Sequence, residues 1–261
     1  MFRPCQSWWT FRAPRRPDVE PRRYPKLRNA PIVEAVLDFR VMPSSGALER
    51  VLKRNKALCP TYPNASEFEN VRFMVGVQQG AVHQSHAASP EGLRYQSADS
   101  RWVALFAQSG FTLSRLEPYA TWDEFLGEAR RVWIEYVATA QPQRVVRIGV
   151  RYINRLDLPI EDDFDLYLGA GPRVPTTMPQ LVSGFFSQIM VPYSDLNASA
   201  LVTLRHEGGR GPVVLDIDVM AEGLTYSPED DSLWAKVHQF REIKNDAFFG
   251  SITEKLLERY L

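Results

Sequence analysis

The chain has few residues that bind soft metals or form disulfides. Its 261 residues include only two cysteines, Cys5 and Cys59, and four histidines. Two cysteines this far apart do not form a disulfide framework or a thiolate metal site. The histidines lack partners at the spacing of a zinc motif. The sequence therefore predicts no metal site of this kind.

Long apolar runs and an excess of charge of either sign are also absent. No run approaches the roughly 20 residues that a membrane-spanning helix needs, and the N-terminus lacks the apolar region of a secretory signal. Lysine plus arginine and aspartate plus glutamate both number 31, so no global charge favours nucleic acid or anionic membranes. We expect a cytoplasmic protein that does not bind membranes, and nucleic acid is not a favoured partner.

Sequence motifs of common enzymes are missing too. The chain has no phosphate-binding P-loop, no G-x-G-x-x-G fingerprint and no G-x-S-x-G nucleophile elbow. The sequence therefore predicts no cofactor and assigns no catalytic residue. Whether the protein is an enzyme stays open at this stage, with the motifs arguing against it.

One long strand stands out, predicted over residues 144–156. Apolar residues that alternate along it predict one face in a core: Val146, Ile148, Val150, Tyr152 and Leu156. We call the three arginines predicted on the opposite face, Arg147, Arg151 and Arg155, the arginine stripe. At about 3.3 Å per residue, neighbouring members of the stripe lie about 13 Å apart.

Two interpretations of the arginine stripe remain open. Guanidinium groups suit phosphate and carboxylate, so the stripe, joined by Arg205 and Arg40 from other strands, predicts a surface for an anionic ligand or protein partner. Alternatively, the arginines form ion pairs across the sheet. The carboxylates available for such pairs are Glu34, Asp38, Asp216 and Asp218.

The same four carboxylates offer an alternative function. If their strand faces lie together, oxygen ligands can hold a divalent metal beside a phosphorylated substrate. This predicts a metal-dependent hydrolase or phosphotransferase, with Asp216, Asp218, Glu34 and Asp38 as candidate ligands. Ion pairing on an exposed sheet explains the same residues without a metal.

The order of the predicted elements favours an α+β fold. A basic, aromatic and proline-rich stretch over residues 1–24 predicts a disordered extension. Two tandem units then follow, 25–142 and 143–261, each with the order strand, helix, antiparallel strands and long helix, so the pattern indicates an internal repeat without residue identity. We expect antiparallel sheets with a long helix packed on one face of each unit, in two domains or one continuous domain.

Local signals define several elements. Thr121 with Glu124 forms a capping box that starts a long helix, and Gly208-Gly209 joins two strands into a hairpin over 199–220. We further predict a helix over 179–189 and a C-terminal helix over 231–248.

Four phrases together resemble a sporadically distributed family of bacterial proteins of about this length and of unknown function. They are Pro25 to Val36, Gly110 to Leu116 with Pro118, Tyr119 and Trp122, Arg151 to Arg155, and Lys244-Asn245 with Phe248-Phe249 and Ile252-Thr253. The resemblance covers about residues 24–261 and implies a bacterial cytoplasmic protein. It implies no activity and no catalytic residue.

The sequence thus predicts a non-enzymatic binding or interaction protein. Its ligand-binding surface is the stripe with Arg205 and Arg40, and its partner is an anionic ligand or another protein. A homodimer is a further alternative.

Overall fold

Strands form most of the regular structure. The computed structural model describes residues 24–78, 81–159, 163–209 and 211–261, with the backbone alone over 70–78 and 81–88. The strands are β1 Ile32–Met42, β2 Asn64–Gln78, β3 Ala81–Gln96, β4 Trp102–Ala107, β5 Gly110–Leu116, β6 Arg144–Leu156, β7 Phe185–Tyr193, β8 Ala198–His206 and β9 Val213–Tyr226. The helices are α1 Ala47–Val51, α2 Trp122–Ala140, α3 Ser232–Ser251 and α4 Glu254–Leu257. The predicted extension over 1–24 lies outside the described residues except for Tyr24.

The strands of the described residues form one continuous sheet. Its order is β2-β3-β4-β5-β1-β6-β9-β8-β7, and every neighbouring pair is antiparallel. The first strands of the two predicted units lie side by side at its centre, where Leu37 of β1 is opposite Val150 of β6.

The predicted α+β class with two tandem units is therefore wrong. A single nine-stranded antiparallel sheet dominates the described part of the chain. The physical reason is that a period of two shows which face of a strand is buried but not which strands are its neighbours. Hydrogen bonds join β1 and β6 in the middle of the sheet, where the sequence predicted a boundary between two units.

The core lies against the apolar face of β1 and β6. Leu37, Phe39, Val150 and Tyr152 are almost fully buried there. Side chains of α2 and α3 join this core, and the ring of Trp133 meets Phe39 edge to face at 4.8 Å between centroids. Aromatic pairs of this geometry add about 0.5–1.5 kcal/mol beyond the burial of their area.

The alternation predicted for β6 is present over most of its length. Ile148, Val150, Tyr152 and Leu156 are buried, whereas Arg151 is exposed. Near its start the alternation shifts, because the register against β9 is interrupted between Val145 and Arg147. Val145 is therefore buried in place of Val146, which was predicted to face the core.

Two local predictions are confirmed and one is wrong. The Thr121 hydroxyl accepts a hydrogen bond from the Glu124 amide at 3.1 Å and so caps α2, and β8 and β9 form the predicted hairpin. The helix predicted over 179–189 is instead a loop followed by the start of β7. Pairing with β8 along its whole length gives β7 backbone partners that outweigh its weak helical pattern.

Strand β7 forms one edge of the sheet. Several of its apolar side chains are exposed, namely Phe186, Ile189, Met190 and Val191. None of the helices in the described ranges combines the length and apolar character needed to cross a bilayer.

Candidate functional site

Arg147 lies on the polar face of β6, between carboxylates of the strands on both sides. Nη1 of Arg147 donates a hydrogen bond to Oδ1 of Asp38 on β1. Nη2 lies 3.9 Å from Asp218 and Nε lies 3.5 Å from Glu222, both on β9. Gly149 leaves room for this arrangement, since a Cβ there would lie 3.2 Å from the guanidinium. Arg147 thus links three central strands.

Arg151 forms a two-pronged ion pair. Its Nε and Nη2 atoms donate to the two carboxylate oxygens of Asp216 at 2.9 and 2.5 Å. The hydrogen bond to Asp216 raises the pKa of Arg151, and the charges of Asp216, Asp218 and Glu34 add to the effect. This fork geometry matches the best carboxylate contact that a guanidinium makes. An incoming anion would have to displace it.

The other predicted ligand arginines are paired as well, but they do not form one cluster. Arg40 lies opposite Arg147 in the register, and its Nε is 3.5 Å from the shared Asp38. Arg155 lies 3.4 Å from Glu117 near the end of β6, and Arg205 on β8 bonds Glu207 at 2.8 Å. The structure therefore groups Arg40, Arg147 and Arg151 and leaves Arg155 and Arg205 apart.

The four carboxylates proposed as metal ligands are engaged with cations or separated. Asp38 and Asp216 bind the arginines described above, and burial raises the pKa of Asp218 despite Arg147 and Arg151 nearby. Glu34 lies opposite Ile153 on β6. Within the described ranges, no three side chains of histidine, cysteine, aspartate or glutamate are arranged to hold a metal ion.

A cavity of about 400 Å³ lies at the other side of the sheet, where α2 begins and α3 ends. We call it the lysine pocket, after Lys244 of α3. Aromatic and charged side chains line it together: Tyr24, Lys26, Tyr119, Trp122, Asp123, Arg241, Lys244, Phe248 and Phe249. A cavity of this size falls within the range of small-molecule sites.

Lys244 is the distinctive residue of the pocket. It follows the buried Phe240 and precedes the buried Phe248 by one helical turn each, so it lies on the side of α3 that faces the sheet. Its ammonium is 4.3 Å from the ring centroid of Tyr152, a favourable cation–π contact. No carboxylate of the described residues lies within 4 Å of it.

The environment of Lys244 disfavours its charge. Burial lowers its pKa to about 7, and the neighbouring charge of Arg241 acts in the same direction, while Glu242 opposes them. Loss of hydration without a counter-ion is the cause that dominates. Near neutral pH the amine is therefore divided between its charged and neutral forms.

Two further features complete the polar wall. Arg241 lies above the indole ring of Trp122, with Cζ 5.4 Å from the centroid, and within the described residues its ion-pair partner is Glu242 at 4.0 Å. The hydroxyls of Tyr119 and Tyr152 are hydrogen-bonded at 3.0 Å. Burial raises the pKa of Tyr119 to about 12 and that of Tyr152 well above its usual value, so both hydroxyls keep their protons.

The sequence reasoning missed the lysine pocket, although a signal was present. Phe240, Lys244 and Phe248 share the spacing i, i+4, i+8, which places a lysine within an apolar helical stripe. Each of the four phrases behind the family resemblance also contributes to the pocket wall, through residues such as Pro31, Tyr119, Asn154 and Lys244.

Comparison of the chain with protein-family models and with curated proteins gives no match. The function is therefore inferred from the geometry alone.

Proposed function

We propose that the protein is a non-enzymatic binding protein for a small anionic ligand, whose negative group Lys244 and Arg241 hold in the lysine pocket. The observation that carries the proposal is the Lys244 ammonium, which lines a cavity without a carboxylate partner among the described residues. A bound anion would supply the missing counter-charge. It would also raise the pKa of Lys244 from about 7.

The pocket is a better anion site than the arginine stripe for an electrostatic reason. Asp38 and Asp216 already occupy the hydrogen-bonding edges of Arg147 and Arg151. A ligand there would replace one anion by another and would leave the displaced carboxylate unpaired, at a cost of about 1–3 kcal/mol or more. The stripe as a ligand surface stays a prediction, with less support.

The walls suit a ligand that is small and partly apolar. Trp122, Phe248 and Phe249 supply aromatic surface beside the two cations. A volume of about 400 Å³ lies at the lower end of the range for drug-sized ligands, roughly 300–1,000 Å³. We therefore expect a small carboxylate or phosphate rather than a polymer.

Binding of small anions by calorimetry tests this proposal. The probes are lactate, benzoate and inorganic phosphate, titrated into wild type, Lys244→Met and Arg151→Ala at pH 6. We expect Lys244→Met to weaken the binding by at least about tenfold, since a hydrogen bond to a charged group contributes about 1.5–3 kcal/mol. Wild-type binding should weaken as the pH rises through about 7, because Lys244 then loses its proton.

Arg151→Ala is the matched control, because it removes a cation whose partner is already present. We expect it to leave anion binding unchanged. If Arg151→Ala abolishes binding and Lys244→Met does not, the arginine stripe is the ligand surface and the proposal is wrong. Binding of none of the three probes would also contradict it.

Two other functions predicted from the sequence remain predictions. A metal-dependent hydrolase draws no support from carboxylates that face guanidinium groups. A homodimer stays a prediction.

A further inference from the structure

The amine of Lys244 has the setting of a nucleophile. A lysine attacks carbonyl carbons only in its neutral form, and burial near a second cation is the usual way to produce that form. Both conditions hold here, because burial and Arg241 lower the pKa of Lys244 to about 7. The other charged side chains of the pocket wall are Lys26 and Asp123, and neither forms an ion pair with Lys244.

The spacing on α3 selects the class of carbonyl compound. Arg241 and Lys244 are three residues apart, so their side chains lie next to each other on one helix face, with about 5–6 Å between their Cβ atoms. A guanidinium binds a carboxylate best. A carboxylate at Arg241 therefore brings the adjacent carbon of the ligand close to the amine of Lys244.

We propose that Lys244 captures a small 2-oxo acid in the lysine pocket as a reversible imine, with Arg241 binding its carboxylate. This inference rests on the proposed function and names the ligand class of the same site. The pocket then holds its ligand by one covalent bond and one ion pair.

The step balances without an oxidant or a reductant. The lone pair of the neutral Lys244 amine forms a bond to the C2 carbon while the carbon–oxygen π pair moves to the oxygen, and one proton passes from the nitrogen to that oxygen to give a carbinolamine. Loss of that hydroxyl as water, with the second proton of the nitrogen, leaves the carbon–nitrogen double bond. Amine plus ketone therefore gives imine plus water.

The tyrosine pair orients the amine of Lys244. Tyr119 lines the pocket, and the ring of Tyr152 lies 4.3 Å from the Lys244 nitrogen. Both hydroxyls are protonated and hydrogen-bonded to each other at 3.0 Å. We assign them a positioning role, in which the Tyr119 hydroxyl fixes the Tyr152 ring that contacts the Lys244 amine.

Reductive trapping tests the imine. Wild-type protein is incubated with pyruvate and cyanoborohydride, digested, and mapped by mass spectrometry. We expect one reduced pyruvate attached at Lys244, with at least tenfold less at Lys236. Lys236 is the internal control, because it also lies near an aromatic ring, Phe240 at 5.6 Å, but hydrogen-bonds the Leu196 carbonyl and lies outside the pocket.

Lys244→Arg and lactate separate covalent capture from simple binding. The arginine variant keeps a cation but cannot form an imine, so it should yield no adduct with pyruvate. If lactate binds to wild type and pyruvate is not trapped at Lys244, the imine is wrong and the proposed function stands. If pyruvate labels Lys236 as strongly as Lys244, the selective capture is likewise refuted. Failure of both lactate binding and trapping contradicts both proposals.

Discussion

The arginine stripe and the lysine pocket lie on opposite faces of the same strand. They differ in whether their cations have carboxylate partners. On the polar face of β6, Arg147 and Arg151 meet carboxylates at hydrogen-bonding distance. On the other face, the Lys244 ammonium lies 4.3 Å from the ring centroid of Tyr152 and forms no ion pair within the described residues. The lesson is that a row of cations indicates a ligand site only when their counter-charges are missing.

The difference also separates structural from functional charge. A paired arginine that links three strands stabilises the sheet, because its removal leaves carboxylates unpaired. A buried lysine without a partner costs stability, since its charge has lost water and gained nothing comparable. Proteins retain such groups mainly at sites that use them.

The largest expected effect on stability comes from removing Arg147, the member of the stripe that links three strands. Arg147→Ala leaves Asp38 and Asp218 without their shared cation, and their side chains are only 15% and 21% exposed. We expect the free energy of unfolding to fall by about 2–4 kcal/mol, somewhat below the value for a fully buried pair. Urea denaturation followed by circular dichroism measures it.

Arg155→Ala is the control for that experiment. Arg155 and its partner Glu117 are both about half exposed, so its removal should cost at most about 1 kcal/mol. Equal losses for the two variants would show that the position of a cation in the stripe does not matter, contrary to the structure.

A substitution in the lysine pocket should have a smaller effect on stability, and of opposite sign. Lys244→Met should raise the free energy of unfolding at pH 6 by about 1–2 kcal/mol, because it removes a desolvated charge; the value allows for the partial exposure of the side chain. The comparison of wild type and variant by urea denaturation measures the gain.

The stability that Lys244→Met gains should decrease as the pH rises. The pKa of Lys244 is about 7 in the folded state and 10.5 in the unfolded state, so the unfolded chain binds more protons between these values. Wild-type stability therefore rises with pH in this window relative to the variant. The advantage of Lys244→Met should be full below pH 7 and vanish towards pH 10.5. A gap that stays constant over this range would contradict the low pKa.

Some of the architecture could be predicted from single segments. The alternation of β6 and the cap at Thr121 depend on neighbours in sequence, and both are present in the structure. The pairing of β1 with β6 could not be predicted in this way. It joins residues more than 100 positions apart, and the alternation along one strand does not indicate which strand pairs with it.

The site was harder to predict than the strands. The arginine stripe drew attention because three arginines repeat every four residues, yet their partners Asp38 and Asp216 come from other strands. Lys244 is one lysine in an apolar helix, and most lysines at such positions extend to solvent. Only the fold brings it over Tyr152 and next to Tyr119.

The pKa of Lys244 is the most direct test of the contrast between the two faces. It can be read from the side-chain carbon shifts of ¹³C-lysine-labelled protein, with Lys244→Arg used to assign the signal. We expect the amine of Lys244 to titrate near pH 7 without ligand and with a higher pKa in saturating lactate, because the bound anion stabilises the charged form. A pKa near 10.5 that lactate does not change would contradict it.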